Sequence, residues 1–306
     1  MREFDFIDWI RSQSRFDPAA VPLGPGDDMA VVTCGGENVL VTVDQVLDGT
    51  HFVLDRDGAQ AAGRKAMARN LSDVAAMAAW PLCAVASVAL PKGFSQADAQ
   101  WLYQGMRSIG DTFACPLVGG DISSWDGRLA VSVTVLARPA GIAPVLRSGA
   151  QAGDAICVTG QLGGAWRSQR HLHFLPRIRE ARELASTFSL HAMIDISDGL
   201  SGDLGHLCRE SGVGAEIEAD KIPVHPDASL QAVGLSAPLS AALGDGEDYE
   251  LLFTLPSDQA DRLLREQPLD IPVTRIGAIL PGQALTLIHP DGRRGPLLRQ
   301  SWEHDI

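Results

Sequence analysis

The chain has 306 residues, 45% hydrophobic and 21% charged, and its 38 acidic against 25 basic side chains leave a net charge of −13. Such a length supports a large core and favours about two domains, while the acidic balance argues against nucleic acid or an anionic membrane as partner, because both need a basic footprint. Only three lysines occur, Lys65, Lys92 and Lys221, so a phosphate-bearing substrate would have to be held by metal ions or a few arginines.

Residues 3–13 put Phe6, Ile7 and Ile10 at helical spacing. Leu23 to Asp28 is a Gly/Pro turn feeding a strand over 29–33. Residues 39–44 alternate, with Val39, Val41 and Val43 on one face and Leu40, Thr42 and Asp44 on the other. The Ala- and Met-rich stretch 59–79 predicts a buried helix with Asn70, Ser72 and Asp73 as polar interruptions. After a strand over 82–90, Ser95 caps a helix with Asp98 three residues on, and Leu102, Met106, Ile109 and Phe113 face inward. Strands follow over 117–121, ending in Gly119-Gly120-Asp121, and over 129–137. The Pro/Gly-rich stretch 138–144 is the best domain boundary and divides the chain into 1–140 and 141–306. Beyond it the pattern predicts a strand over 155–159, a helix over 177–184 and a strand–turn–helix over 192–212. Strands over 216–219, 250–254 and 273–279 and a capped helix over 257–266 complete the series. The elements interleave without a strict βαβ rhythm, which places the fold in the α/β and α+β classes as two units.

The five cysteines (Cys34, Cys83, Cys115, Cys157, Cys208) form no CxxC pair, so neither a disulfide framework nor a zinc ribbon is indicated. The opening MREFDF carries acids where a signal peptide has its apolar stretch. No apolar run reaches the roughly 18 residues of a membrane span. The expected location is the cytoplasm.

Five acidic stations carry the chemistry: Asp27-Asp28, Thr42-Val43-Asp44, Asn70-Leu71-Ser72-Asp73, Gly119-Gly120-Asp121, and Asp195 with Asp198 flanking Ser197. Each alone reads as a solvated turn, and Ser or Asp ahead of a helix starting near Leu200 reads as an N-cap. A cap accounts for one residue of that turn and leaves the other carboxylate over. Two carboxylates about 4 Å apart repel by about 1 kcal/mol in water and about 4 kcal/mol at an effective dielectric near 20, so convergence of the stations would demand cations. Mg²⁺ suits such a cluster, since it takes oxygen ligands and is usually shared between one or two carboxylates, waters and substrate phosphates. No Walker A loop, no GxGxxG after a strand and no kinase-type HRD and DFG pair is present. His171 and His173 read as surface or phosphate-adjacent residues, and Asp55 and Asp57 as a solvated turn.

The motifs GPGDD (24–28), TVD (42–44), GTHF (49–52), NLSD (70–73), VGGD (118–121), LRSGAQAGD (146–154), IDISDGLSGDLGH (194–206) and GDGEDYELLFT (244–254) follow in that order over nearly the whole chain. Together they resemble the thiamine-monophosphate kinase family, part of the superfamily of aminoimidazole ribonucleotide synthetase, selenophosphate synthetase and a hydrogenase maturation protein. The selenophosphate enzyme needs an N-terminal Cys or selenocysteine, and the hydrogenase protein a C-terminal Cys. Here the first cysteine is Cys34 and the chain ends Glu303-His304-Asp305-Ile306.

The resemblance implies an aminoimidazole ribonucleotide synthetase-like fold of two domains, the N-terminal α/β sheet pairing with its twin in a homodimer. It implies ATP- and Mg²⁺-dependent phosphorylation of thiamine monophosphate to thiamine diphosphate. Several Mg²⁺ would be held by Asp28 (with Asp27 as the neighbouring alternative), Thr42, Asp44, Asp73, Asp121, Asp195 and Asp198, and by the backbone carbonyl of Val43. Asp44, Asp121 and Asp195 would be the catalytic acids. Gly120, Asp121, Arg147 and Ser197 would contact ATP, and His51, Glu247 and Trp302 the thiamine phosphate. The acceptor's phosphate monoester has a second pKa of about 6, so the reaction needs no general base. Without the resemblance, His51 reads as a buried histidine at a strand end, Glu247 as a loop acid and Arg147 as solvated. Three departures bear on the acceptor side. Val43 replaces a Thr or Ser, Ala78-Ala79-Trp80 replaces Gly-Ala-Asp, and the stretch 164–170 is shorter by a whole helix. The alternatives are a kinase or synthetase for another small phosphorylated acceptor, or a non-catalytic nucleotide-binding paralogue.

Overall fold

The structure, a computed structural model, describes residues 3–229 and 238–301. Helix α1 (Glu3–Gln13) opens the chain. A five-stranded sheet follows, formed by β1 (Ala30–Cys34), β2 (Glu37–Leu47), β3 (Trp80–Pro91), β4 (Leu117–Trp125) and β5 (Ala130–Arg138) in the order β1-β2-β5-β3-β4. Every pairing is antiparallel except β3 with β4. A parallel pair needs a long crossover, and α3 (Gln96–Thr112) supplies it. Ser95 caps α3 as expected, its Oγ accepting from the Asp98 N–H at 3.0 Å.

Helix α2 (Leu54–Ala76) and α3 cover one face of this sheet, burying Leu40, Val46, Ala84, Ala86, Val88, Val131, Val133 and Val135. The opposite face is bare and carries exposed apolar residues, Val43 at 62% with Leu82, Val85 and Leu136, beside a polar row of Gln45, Ser132, Ser87 and Asp121. The edge strand β4 exposes Val118, Ile122 and Trp125. An antiparallel sheet facing water normally turns polar residues outward, so the apolar part of this face has the composition of a covered one.

The second sheet holds β6 (Ala155–Thr159), β7 (Ala192–Asp195), β8 (Gly214–Glu218), β9 (Leu251–Leu255), β10 (Val273–Leu280), β11 (Leu285–Ile288) and β12 (Arg294–Pro296) in the order β12-β11-β8-β10-β6-β9-β7. Helices α4 (Ile178–Thr187), α5 (Leu200–Ser211), α6 (Pro238–Gly244) and α7 (Ser257–Glu266) accompany it. Burial of every residue of β6, β7 and β9 shows that both faces of its centre are covered. Helix α2 touches β2 and β5 of the first sheet and α4 and β7 of the second unit, and one apolar cluster runs from Val133 through α2 to Phe174, Leu184 and Phe253. Both sheets therefore share α2, which fixes their ends against one another.

Several elements differ from expectation for local reasons. Helix α2 begins at Leu54, and Gly58 (φ 78°, ψ 160°) interrupts its first turns. Asp57 accepts the Val53 N–H at 2.7 Å and the Gln169 side-chain amide at 3.0 Å, so it closes the start of the helix instead of lying in a solvated turn. Strand β4 runs on to Trp125, which puts Gly119-Gly120-Asp121 in mid-strand and not at its end. Helix α7 has no side-chain cap, because Ser257 Oγ donates instead to the Gly153 carbonyl. Strands β11 and β12 are short and irregular in pattern, and the alternation rule passes over them. No helix among the described residues is long and apolar enough to cross a membrane.

Candidate active site

Helix α2 carries a polar stripe through an otherwise apolar sequence. Lys65, Arg69 and Asp73 recur every fourth residue and so share one face. At the C-terminal end of the stripe, Thr42 Oγ1 on β2 donates to Asp73 Oδ2, and Ser72 Oγ donates to Asp195 Oδ2 at the end of β7. Asp28, two residues ahead of β1, closes the group. One carboxylate oxygen from each of Asp28, Asp73 and Asp195 lies within 4.8 Å of the others. Three segments far apart in sequence thus converge on one point.

These acids line a cavity of about 680 Å³. Asp44 and Arg69 face it as an ion pair with Nε and Oδ2 2.9 Å apart. Arg147 also lines it and donates from Nη2 to Asp28 Oδ1 at 2.6 Å, while its backbone N–H is accepted by Asp27. Ser197 and Asp198 form another wall, and Glu3, Phe6 and Ile7 of α1 a further one. Arg11 pins α1 through a bidentate pair with Glu210 on α5, at 2.7 and 3.0 Å.

The electrostatics are those of crowded anions. Burial, reinforced by the charges of Asp44, Asp195 and Asp28, pushes Asp73 well above the ordinary carboxylate range. Burial and Asp28 bring Asp195 up to about 7, burial and Asp28 do the same to Asp27, and burial takes Asp198 to about 6. Burial opposes the charge on Arg147, but Asp28 and Asp27 more than offset it and hold the guanidinium above its usual value. Asp28 Oδ2 is buried with no hydrogen-bond partner among the described residues. A buried anion oxygen left so is costly.

The turn after β7 is held by backbone contacts. Glu247 and Tyr249 donate their N–H groups to the carbonyls of Ser197 and Ile196 at 2.7 and 2.8 Å. Gly199 has φ +113° and Gly246 φ +68°, and an added Cβ would lie 2.9 Å from Gly244 Cα or 2.6 Å from the Ser197 carbonyl oxygen. Only glycine allows these two loops to approach so closely. The expected Ser or Asp cap is not what starts α5: its N-cap is Gly199, and Asp203 reaches back to accept the N–H groups of Asp198 and Gly199. Ser197 and Asp198 are thereby relieved of capping and face the cavity.

Beyond Tyr249 the polar stripe continues inward. Lys65, fully buried, donates to the His51 carbonyl at 2.6 Å, lies 2.6 Å from Glu247 Oε2 and meets His171 Nδ1 at 2.8 Å. His51 Nδ1 accepts the Leu47 N–H at 3.0 Å. Burial and Lys65 push the His171 imidazole down to about 3. Trp166, from the stretch 164–170, stacks on His171 with centroids 4.5 Å apart. The surface role expected of His171 is therefore corrected: it is a fully buried, neutral member of this network.

Of the residues singled out from sequence, Asp28, Thr42, Val43, Asp44, His51, Asp73, Arg147, Asp195, Ser197 and Asp198 border the cavity. Asp27 lies behind it as acceptor for Arg147, and Glu247 lies behind Tyr249, which donates to it at 2.9 Å. The alternation of β2 leaves the Val43 side chain on the bare sheet face. Gly120 and Asp121 are elsewhere. The register row Gln45–Ser132–Ser87–Asp121 sets Asp121 three strand spacings, about 14 Å, from β2. Its side chain is also on the opposite face from Asp44. Trp302 lies outside the described residues. Sequence reasoning missed Lys65, Arg69, Tyr249 and the α1 wall. The signal for the first two was legible: charges at i, i+4 and i+8 in an Ala-rich helix.

Comparison with known proteins places this geometry. Residues 26–138 match the AIR synthase related protein N-terminal domain and residues 151–290 the corresponding C-terminal domain. The chain is 37% identical to the thiamine-monophosphate kinase of Rhodopirellula baltica over 288 residues, covering 91% of this chain and 89% of that protein. The structure of AaThiL complexed with AMPPCP and TMP superposes with a TM-score of 0.82 at 29% identity, covering 99% of this chain and 97% of that one. The thiamine-monophosphate kinase structure from Stenotrophomonas maltophilia K279a gives a TM-score of 0.73 at 34% identity, covering 95% and 97%. On this identity and coverage, and with both domain models matched in order, the chain belongs to the thiamine-monophosphate kinase family.

Proposed function

We propose that the protein transfers the γ-phosphoryl group of ATP to the phosphate of thiamine monophosphate, giving thiamine diphosphate and ADP. The observation that carries this reading is the convergence of Asp28, Asp73 and Asp195 within 4.8 Å, in a family whose relative AaThiL is known complexed with AMPPCP and TMP. Phosphoryl transfer is governed by positioning and charge neutralisation, and the site offers both. The acceptor phosphate is mostly dianionic at neutral pH and attacks the γ-phosphorus directly, with ADP leaving. No side chain has to remove a proton.

The donor set fits Mg²⁺. The oxygens are hard and anionic, drawn from separate rigid elements, and Asp28 Oδ2 is a buried acceptor without a donor among the described residues. Asp28, Asp73, Asp195, Asp44 and Asp198, with Thr42 and the Val43 carbonyl, would hold several ions. When bound, such ions polarise the phosphoryl oxygens and offset the charge of donor and acceptor phosphates. Arg147 and Ser197 would serve the nucleotide side, and His51, with Glu247 behind Tyr249, the acceptor side. The reading carries with it a division of labour between residues 1–140 and 141–306, and action in the cytoplasm.

The same reading makes the working unit a homodimer. Asp121 and Gly120 cannot reach the acids of their own chain, yet they stand beside a bare sheet face and an open edge strand. Pairing of that face with its copy would cover it and bring Asp121 toward the partner's cavity. The test is direct: incubate the protein with ATP, Mg²⁺ and thiamine monophosphate and assay for thiamine diphosphate. Formation of the product, abolished in Asp44→Asn, is the expected result; ATP turnover without it would assign a different acceptor, and nucleotide binding without turnover would remove the enzymatic reading.

A further inference from the structure

Lys65 is the only one of the three lysines placed in the core, and its three donors are all used. Two go to the His51 carbonyl and to His171 Nδ1, and the third is directed at Glu247 Oε2. Because His171 accepts at Nδ1, its proton sits on Nε2 and the ring adds no charge. Glu247 Oε2 receives a second donor, the Tyr249 hydroxyl, at 2.9 Å. Among the described residues Glu247 Oε1 has no hydrogen-bond donor, and the side chain is partly open to solvent. One oxygen of this carboxylate is saturated from behind and the other is left open.

The backbone holds the carboxylate in that orientation. Glu247 and Tyr249 both adopt positive φ, 61° and 53°, a conformation rare outside glycine, and both N–H groups are tied to the 196–197 carbonyls. Burial alone would raise Glu247, but the charges of Lys65 and Arg69 outweigh it and leave the carboxyl below its ordinary value. An ionised carboxylate accepts hydrogen bonds and cannot donate one.

We propose that Lys65 is a positioning residue for acceptor selection: with Tyr249 it occupies Glu247 Oε2, leaving Oε1 as the one oxygen free to accept from the acceptor's exocyclic amino group. This rests on the acceptor reading given above, and it extends that reading from a contact to the device that makes the contact selective. Without Lys65, Glu247 keeps only Arg69 as a balancing charge, and burial shifts its carboxyl toward the protonated form. A protonated carboxyl can donate as well as accept, and it would welcome a ring carrying a carbonyl in place of an amino group.

The experiment compares kcat/KM for thiamine monophosphate and for oxythiamine monophosphate, in which an oxo group replaces the aminopyrimidine amino group. A hydrogen bond to a charged partner corresponds to a preference of about 10- to 100-fold, and the wild type is expected to favour the amino acceptor by that factor. In Lys65→Met the ratio is expected to fall to within about threefold, with KM for ATP within about twofold of wild type. Tyr249→Phe, which removes only the second donor to Oε2, shifts the ratio in the same direction by less. Parallel losses on both acceptors, with the ratio preserved, would mean that Lys65 serves packing alone and would overturn the proposal. Should Lys65→Met fail to fold, an unchanged ratio in Tyr249→Phe overturns it equally. A wild type active on both acceptors without preference refutes the selectivity alone, whereas a wild type inactive on thiamine monophosphate refutes the kinase reading beneath it.

Discussion

Asp73 and Asp195 are the residues at which the cavity's charge is least tolerable to the protein alone. Each is buried beside other carboxylates, and each is held in place by a hydroxyl, from Thr42 and Ser72 respectively. Replacing either by Asn keeps the shape and removes a charge, and turnover is expected to drop by at least about 10³-fold, the scale of a lost transition-state electrostatic contact. Steady-state kinetics at saturating Mg²⁺ measure it, and a loss under about tenfold would remove that residue from the reaction. The same acids set a pH dependence. Asp195 titrates near 7 and Asp198 near 6 when folded, against an ordinary 3.8. A folded value above the unfolded one means that the contribution is complete below about pH 4 and is lost as pH rises through about 6 to 7. Chelated protein is therefore expected to melt several degrees lower at about pH 8 than at about pH 5, with a smaller difference in Asp195→Asn and a partial recovery on adding Mg²⁺. Differential scanning calorimetry in EDTA decides this, and a melting point that climbs over that interval contradicts it. The carboxylates were legible as motifs, because turn acids next to Gly and Ser leave a pattern. Lys65 and Arg69 left only the fourfold spacing they share with Asp73, and Tyr249 left nothing, because a single aromatic residue in an apolar segment has no spacing partner to mark it.

Helix α2 and the turn ahead of α5 show what spacing conveys and what it conceals. The apolar run of α2 was readable as a buried helix, but burial on every side hides which face meets which sheet, and periodicity is silent when all faces are apolar. The charged stripe was the one directional cue. The turn at 195–199 was placed correctly, since a strand, a glycine and an apolar-periodic helix follow one another. Its cap was assigned to the wrong residue, because a carboxylate four residues into the helix reaching back cannot be told from an ordinary helical acid. Asp203 is buried and held well above the usual carboxylate range by burial and by Asp198 and Asp195. Its truncation in Asp203→Ala leaves two N–H groups unsatisfied and is expected to cost about 1–2 kcal/mol, the range of a lost cap. It should also lower nucleotide affinity, because Ser197 and Asp198 lose their support. Urea denaturation and equilibrium nucleotide binding report the two effects separately. Unchanged stability would show that the turn is held by the 244–250 loop alone.

At the scale of the molecule, the proposed homodimer would complete the site, since Asp121 stands on the exposed sheet face away from the acids of its own chain. Complementation between two inactive variants is the expected consequence. Asp121→Asn and Asp44→Asn are each expected to be inactive, and on co-expression random pairing leaves one intact site in each mixed dimer, restoring about a quarter of wild-type activity. No recovery in verified mixed dimers would assign Asp121 to its own chain or to no catalytic role. Ten of the twelve strands and the existence of two units were legible from alternation and the Pro/Gly stretch, β11 and β12 being too short to alternate visibly. The sharing of α2 between them was not, since it depends on contacts between segments more than a hundred residues apart. That shared helix bears on how the protein can be taken apart. Severing the peptide chain around residues 139–144 would leave α2 lodged in both cores, so the fragments should stay clasped together and keep working. Fragments made separately should behave otherwise, since each would present half a seam to water.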